Sequence, residues 1–518
     1  MYPPYSPATG GSRVLVEGSE FTGLGGVTGV DFGGVAGTDV VVDSDDQLHV
    51  TAPPHLSGIV HVRVTTPAGT SRTSWDSRFS FDTPVEPAGV TAVPAPLPAG
   101  STAGSDIADV ACPAPGECFA VGSYSISDDE TRPLVERLSG GTWSPTELPL
   151  PPDAVHPPEW WQDARMQQVA CTAVDFCVAA GVYDTEGAAG SPLFATWDGS
   201  GWTVFAYFVG DAVNGDDWIH FDGLDCTADR RCAAVGADLV FVNDGDAWAI
   251  APTPDTGASH GRLNDVDCTA TECFAVGRLV EPDFHHTPLV ERGAGLSWTA
   301  QALPHPAGGR QGTLNAISCP AEGSCTAVGQ YTAGGDRRPL VETLAGGTWT
   351  PGSAPQPSVN LPDVYAFFRG VSCPAPGSCV AVGAYEDEVR EGYDVSYPML
   401  PMTTFIGGGA PVTEPVPMVD VDPVRPEAGM DDVLCTAPGR CVGTGGYNLL
   451  GYRTRGLVAT LTAGAVGSSP VRTPFQAGES FIHGSAVDTA DRAVVVGQYV
   501  DAQGRYRGLL VTGVAIGP

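Results

Sequence analysis

Along the first 83 residues apolar and polar side chains alternate in short runs: Arg13-Val-Leu-Val-Glu17, Asp39-Val-Val-Val-Asp43, Gln47-Leu-His-Val-Thr51 and Val60-His-Val-Arg-Val64. Gly and Pro turns break them. A period of two marks half-buried strands, and this many short ones predict a small β-sandwich of seven or so strands. From Val110 the pattern becomes a repeat with the kernel V-x-C-x5-C-x-A-V-G-x-Y, as in Val110-Ala-Cys112 to Cys118-Phe-Ala-Val-Gly122-Ser-Tyr124. Its glycine recurs at Gly122, Gly181, Gly236, Gly277, Gly329, Gly383, Gly445 and Gly497, which makes eight units.

Each unit divides into four strand-like pieces. The first ends at the first cysteine and the second carries A-V-G-x-Y. The third reads like Arg132-Pro-Leu-Val-Glu136 or Arg338-Pro-Leu-Val-Glu342, and the fourth follows a Gly-rich turn and opens on Trp143, Trp202, Trp248, Trp298 or Trp349 in five units. Four short strands repeated in this way are the signature of a β-propeller blade. The last unit stops after its third strand, at Val511 to Pro518, whereas Gly89 to Pro98 resembles a fourth strand with no blade before it. The predicted fold is therefore all-β: an immunoglobulin-like β-sandwich over 1–83, then an eight-bladed β-propeller over 84–518 closed by an N-terminal strand, with no long open sheet edge.

The cysteines refine this picture. All fourteen fall into close pairs, Cys112/Cys118, Cys171/Cys177, Cys226/Cys232, Cys268/Cys273, Cys319/Cys325, Cys373/Cys379 and Cys435/Cys441, while the eighth unit has Val487 and Ala493 instead. Six spacings are C-x5-C and one is C-x4-C, unlike the paired C-x2-4-C of zinc sites, so seven local disulfides are expected. Each closes a loop worth about 2 kcal/mol of chain entropy. Disulfides imply export. Met1-Tyr-Pro-Pro-Tyr5 has neither the basic nor the apolar region of a signal peptide, so the chain reads as trimmed or as a piece of a longer exported protein.

Charge narrows the function. There are 60 acidic residues and 25 basic ones, all arginine, for a net charge of −35. Without lysine there is no Schiff-base chemistry and no Walker loop. Such a charge repels phosphate backbones, so no nucleic-acid partner is expected, and no apolar run is long enough for membrane insertion. H-E-x-x-H and G-x-S-x-G are missing. The adjacent His285 and His286 point opposite ways in an extended segment, and no acidic run has EF-hand spacing, so neither metal nor cofactor is predicted.

Two resemblances follow from these landmarks. Gly10-Gly11, Val16-Glu-Gly18 with Phe21, Val30-Asp-Phe-Gly33, Pro53-Pro54, Gly58 to Val64 and Phe79-Ser-Phe81 resemble the IPT/TIG immunoglobulin-like family. That resemblance implies a spacer or interaction module without catalytic residues. The C-x5-C-x-A-V-G core with its following G-x-W resembles exported bacterial β-propeller proteins. More distantly, the disulfide-bearing eight-bladed plan is similar to the propeller lectin subunits of umbrella toxin particles.

The first strand sets the candidate site. Five residues before the first cysteine position every unit is apolar: Ile107, Met166, Phe221, Leu263, Leu314, Phe368, Met430 and Ile482. The next residue is mostly polar: Ala108, Gln167, Asp222, Asn264, Asn315, Arg369, Asp431 and His483. In a propeller the first strand is innermost, which places this ring at the top of the channel. Long loops on the same face carry Trp160, Trp161, Arg165, Trp218, His220 and Tyr393, aromatics beside polar groups that suit sugar stacking or a protein contact. Asp222 and Asp431 stand too far apart around the ring for a glycosidase pair. The expected function is thus non-catalytic recognition of a cell-surface glycan or protein by a secreted or surface-bound protein. The alternatives are a glycosidase or lyase at the channel mouth and a structural adaptor in a larger secreted assembly.

Overall fold

The structure, a computed structural model, describes every residue except 2–4, 24, 56–57, 74–76, 83–89, 100, 102–103, 128, 155–162, 186–187, 208–218, 244–246, 253–259, 358–364, 392–393, 419–426, 450–452, 472, 475–478, 502 and 518. The described residues are all-β, and no helix is long and apolar enough to cross a membrane. The N-terminal part pairs Gly29–Phe32, Gly58–Thr66 and Arg78–Asp82 in one sheet and Arg13–Glu17, Thr38–Val42 and Gln47–Thr51 in a second. The apolar half of each alternation faces inward. Val14, Val16, Leu48 and Val50 from the second sheet meet Val30, Phe32, Phe79 and Phe81 from the first, and the rings of Phe32 and Phe79 pack edge to face at 4.8 Å.

After it come four-stranded antiparallel sheets, one for each unit. The first is Ser105–Ala114, Glu117–Ser127, Glu130–Ser139 and Thr142–Glu147. The first strands of the other seven are Ala164–Ala173, Gly223–Cys226, His260–Cys268, Arg310–Ala321, Ala366–Ala375, Ala428–Ala437 and Ser480–Thr489. Repeated four-stranded sheets of this kind fit a propeller. The eighth sheet has three strands of its own, ending in Tyr506–Ala515, and its fourth is Thr91–Pro94, with Thr91 opposite Thr512 and Pro94 opposite Leu509.

The second and third strands are buried on both faces, so they read as near-continuous apolar runs rather than alternations. Phe176–Thr185 is one of them, buried from Phe176 to Tyr183. One face of each sheet packs on the preceding sheet and the other on the following one. Val121 and Val135 of the first unit share a core with Met166, Ala179 and Leu193 of the second. Ile107, Ala120 and Leu134 of the first unit share another with Val494, Val496 and Leu510 of the eighth.

All seven disulfides are formed and no cysteine is free. Each joins the first strand to the second across a hairpin end, and Val487 faces Ala493 at the same register in the eighth unit. Seven disulfides indicate an oxidising, extracellular type of environment.

Candidate ligand-binding site

The first strands are not simple alternations. In seven units the pairing slips by one residue just after the apolar position, as between Ile107 and Asp109 or Phe368 and Gly370. This is a β-bulge, and the extra residue is the polar ring position itself. The bulge also accounts for the repeated glycine. A β-carbon on Gly122 would lie 2.0 Å from the carbonyl oxygen of Asp106, and across its seven equivalents that distance runs from 1.9 Å at Gly277 to 2.2 Å at Gly236. Only glycine lets the second strand approach the bulged first strand so closely.

A bulge re-aims its side chain, and here it aims at the next sheet. Gln167 accepts a 3.0 Å hydrogen bond from the Phe221 amide and touches the His220 ring. Asn264 donates to the Leu314 carbonyl at 2.7 Å, Asn315 to the Phe368 carbonyl at 2.6 Å, and His483 to the Ile107 carbonyl at 3.1 Å. These four ring residues therefore clasp neighbouring sheets rather than stand free at the channel. The charged ones pair instead: Asp222 with Arg262 at 3.3 Å and Asp431 with Arg369. Arg165 pairs with Asp163. Trp160, Trp161, Trp218 and Tyr393 lie outside the described residues.

Electrostatics follows from this crowding. Burial, opposed by the Asp222 carboxylate, pulls the His220 imidazole below its ordinary value. Burial pushes Asp222 up against the pull of Arg262. For His483 burial works downward, but the Asp106 carboxylate at 3.1 Å carries it above its ordinary value. A group that sequence reasoning missed sits in the third strands, at the glutamate of the P-L-V-E motif. Glu136 and Glu342 are fully buried with neither carboxylate oxygen bonded, and Glu291 is nearly so. Burial pushes them to about 9, about 8 and about 7, with Asp238 adding to the last.

One cleft brings aromatic and polar groups together. It lies between the sixth and seventh units, has a volume of about 360 Å³, and is lined by Tyr365, Phe367, Arg369, Asp431, Glu427 and Asn448, among others. The bulge after Phe368 positions Arg369, whose guanidinium lies 5.2 Å from the Phe367 ring centre and pairs with Asp431. Tyr365 meets Phe367 edge to face, and Arg337 of the fifth unit stacks on Tyr365 at 4.3 Å. On the far wall Thr454 donates to the Asn448 side-chain oxygen at 3.1 Å. Of the ring residues expected from the sequence only Arg369 and Asp431 enter this cleft. Tyr365, just before the first strand, and Phe367, its second residue, carry a legible signal as aromatics at the end of a long loop, whereas Asn448 and Thr454 sit in ordinary strand positions and carry none. Among the described residues no group of three or more His, Cys, Asp or Glu is placed to hold a metal.

The IPT/TIG domain model matches residues 1–81. No curated protein matches the chain. Among solved structures, Sqt1 from Chaetomium thermophilum is 12% identical with a TM-score of 0.44, covering 81% of this chain and 100% of its own. The BP39L lectin from Burkholderia pseudomallei is 13% identical with a TM-score of 0.39, covering 71% and 99%. An alpha-L-arabinanase of Penicillium chrysogenum is 11% identical with a TM-score of 0.33, covering 57% and 93%. All three superpose too loosely to say anything of what this chain binds.

Proposed function

We propose that the chain is a secreted, non-catalytic glycan-binding protein whose site is the cleft between the sixth and seventh units. The observation that carries this reading is the meeting of two aromatic rings with an Arg–Asp pair, an amide and a hydroxyl in one open cleft. A pyranose ring offers an apolar face for stacking and a rim of hydroxyls for such groups. A glycan array probed with the intact chain tests it: Tyr365→Ala and Asn448→Ala should each lower the signal about tenfold or more without shifting the melting temperature. Unchanged signals would discard this site.

The reading takes residues 84–518 as an eight-bladed propeller closed by the strand at 91–94. The core shared by the first and eighth units and the 2.8 Å bond from the Gly508 amide to the Ser105 hydroxyl support that closure. It takes the protein as non-catalytic because the acids of the ring, Asp222 and Asp431, are each held against an arginine rather than set as a free acid–base pair. Sugar release from a bound oligosaccharide would overturn that part. A place in a larger secreted assembly would use the same cleft with a glycan-bearing partner.

A further inference from the structure

In a chain of net charge −35, the fourth unit sets two arginines side by side. Arg262 and Arg278 are opposite each other on its paired first and second strands, so their side chains leave the same face. Arg262 has Asp222 at 3.3 Å. Arg278 is half-buried, its Nε is unbonded, and among the described residues no carboxylate lies within 4 Å of it. Burial and the neighbouring Arg262 charge both work against its proton. Leaving a recessed guanidinium without a counter-charge costs stability, and an arriving anion would remove that cost.

The turn that follows, about 10 Å along the strand, holds a second anomaly. Phe284 has φ 64° and is 80% exposed. The Phe284 amide bonds to the Glu281 carbonyl and the Glu281 amide to the His285 carbonyl, both at 2.8 Å. The eighth unit builds the same turn from Asp501 to Arg505, with bonds of 3.0 and 2.9 Å, and there Gly504 takes the left-handed position at φ 77°. A phenyl ring in that position strains the backbone and, facing water, returns nothing by burial.

We infer that the top of the fourth unit is a second ligand site, for an acidic sugar whose carboxylate is held by Arg262 and Arg278 and whose apolar face rests on Phe284. Only the class of ligand is shared with the cleft between the sixth and seventh units. The test is calorimetric titration of the intact chain with glucuronate, glucose and acetate. Glucuronate should bind, glucose and acetate at least tenfold more weakly, and raised salt should weaken binding. Arg278→Met, which keeps the stem and removes the charge, should lower glucuronate affinity about 10- to 100-fold. If that variant fails to fold, Arg262→Met serves in its place. Phe284→Gly should also weaken glucuronate while raising the melting temperature, a pairing that a merely structural residue would not give.

Equal binding of acetate, no binding of glucuronate, or indifference to Arg278→Met overturns the inference. Tyr365→Ala separates the two sites, because it should spare glucuronate binding at the fourth unit. A chain that fails the neutral-glycan test yet binds glucuronate through Arg278 leaves this inference standing while the first reading falls.

Discussion

The glycine that marks every unit is held by contact rather than by a turn. A methyl group on Gly383 would meet the Phe367 carbonyl oxygen at 2.0 Å, and backbone on both sides cannot yield. Gly383→Ala should therefore cost about 3 kcal/mol, read as a lowered denaturation midpoint. Trp349, 7% exposed against Phe274 of the preceding unit, should cost about 3 to 5 kcal/mol on truncation to alanine. The sequence shows these residues plainly as a recurring letter, but not why they recur. The apolar register of Ile107 and its equivalents is legible because burial imposes a period of two. The ring beside them is not, since a bulge leaves no mark in composition, and it turns Gln167, Asn264, Asn315 and His483 toward the next sheet.

The strands themselves are well predicted from turn residues and from the cysteines that end the first hairpin. What the pattern hides is the carboxylate in the third strand. Glu136 and Glu342 lie in runs of buried residues, and an acid in such a run is ordinarily read as a break to the surface. Their folded values of about 9 and about 8 stand above the 4.5 of an unfolded glutamate. The folded state then holds the proton more tightly, so the stability they contribute is fully present below pH 4.5 and is lost as pH rises toward 9. The melting temperature should fall from pH 5 to pH 9, and the double variant Glu136→Gln, Glu342→Gln should flatten that fall. A profile as steep in the variant as in the parent would assign the slope to the net charge instead.

At the scale of the whole molecule, Thr91–Pro94 pairs with Tyr506–Ala515 of the eighth unit, and the sequence has one fourth strand missing at the end and one spare at the beginning. Removing residues 1–98 should leave the outer strand of that unit, Tyr506–Ala515, as a bare edge. Size-exclusion chromatography of 99–518 is expected to show self-association where the full chain runs as one species. The same junction carries His483 against Asp106, with Asp431 also nearby. Its raised value makes its contribution full below pH 6.5 and lost as pH climbs through the folded value.

The direction of that added strand has a mechanical consequence. Because Thr91–Pro94 runs antiparallel to the last strand, the chain entering before Thr91 and the chain leaving after Thr512 sit at the same end of the ladder. Tension applied between the two ends of the protein would load those hydrogen bonds one after another, as in a zipper, instead of all together in shear. The eighth unit has no disulfide to arrest the tear, so a pulled molecule should yield first at this seam and at low force, with the seven cystine-pinned hairpins still intact.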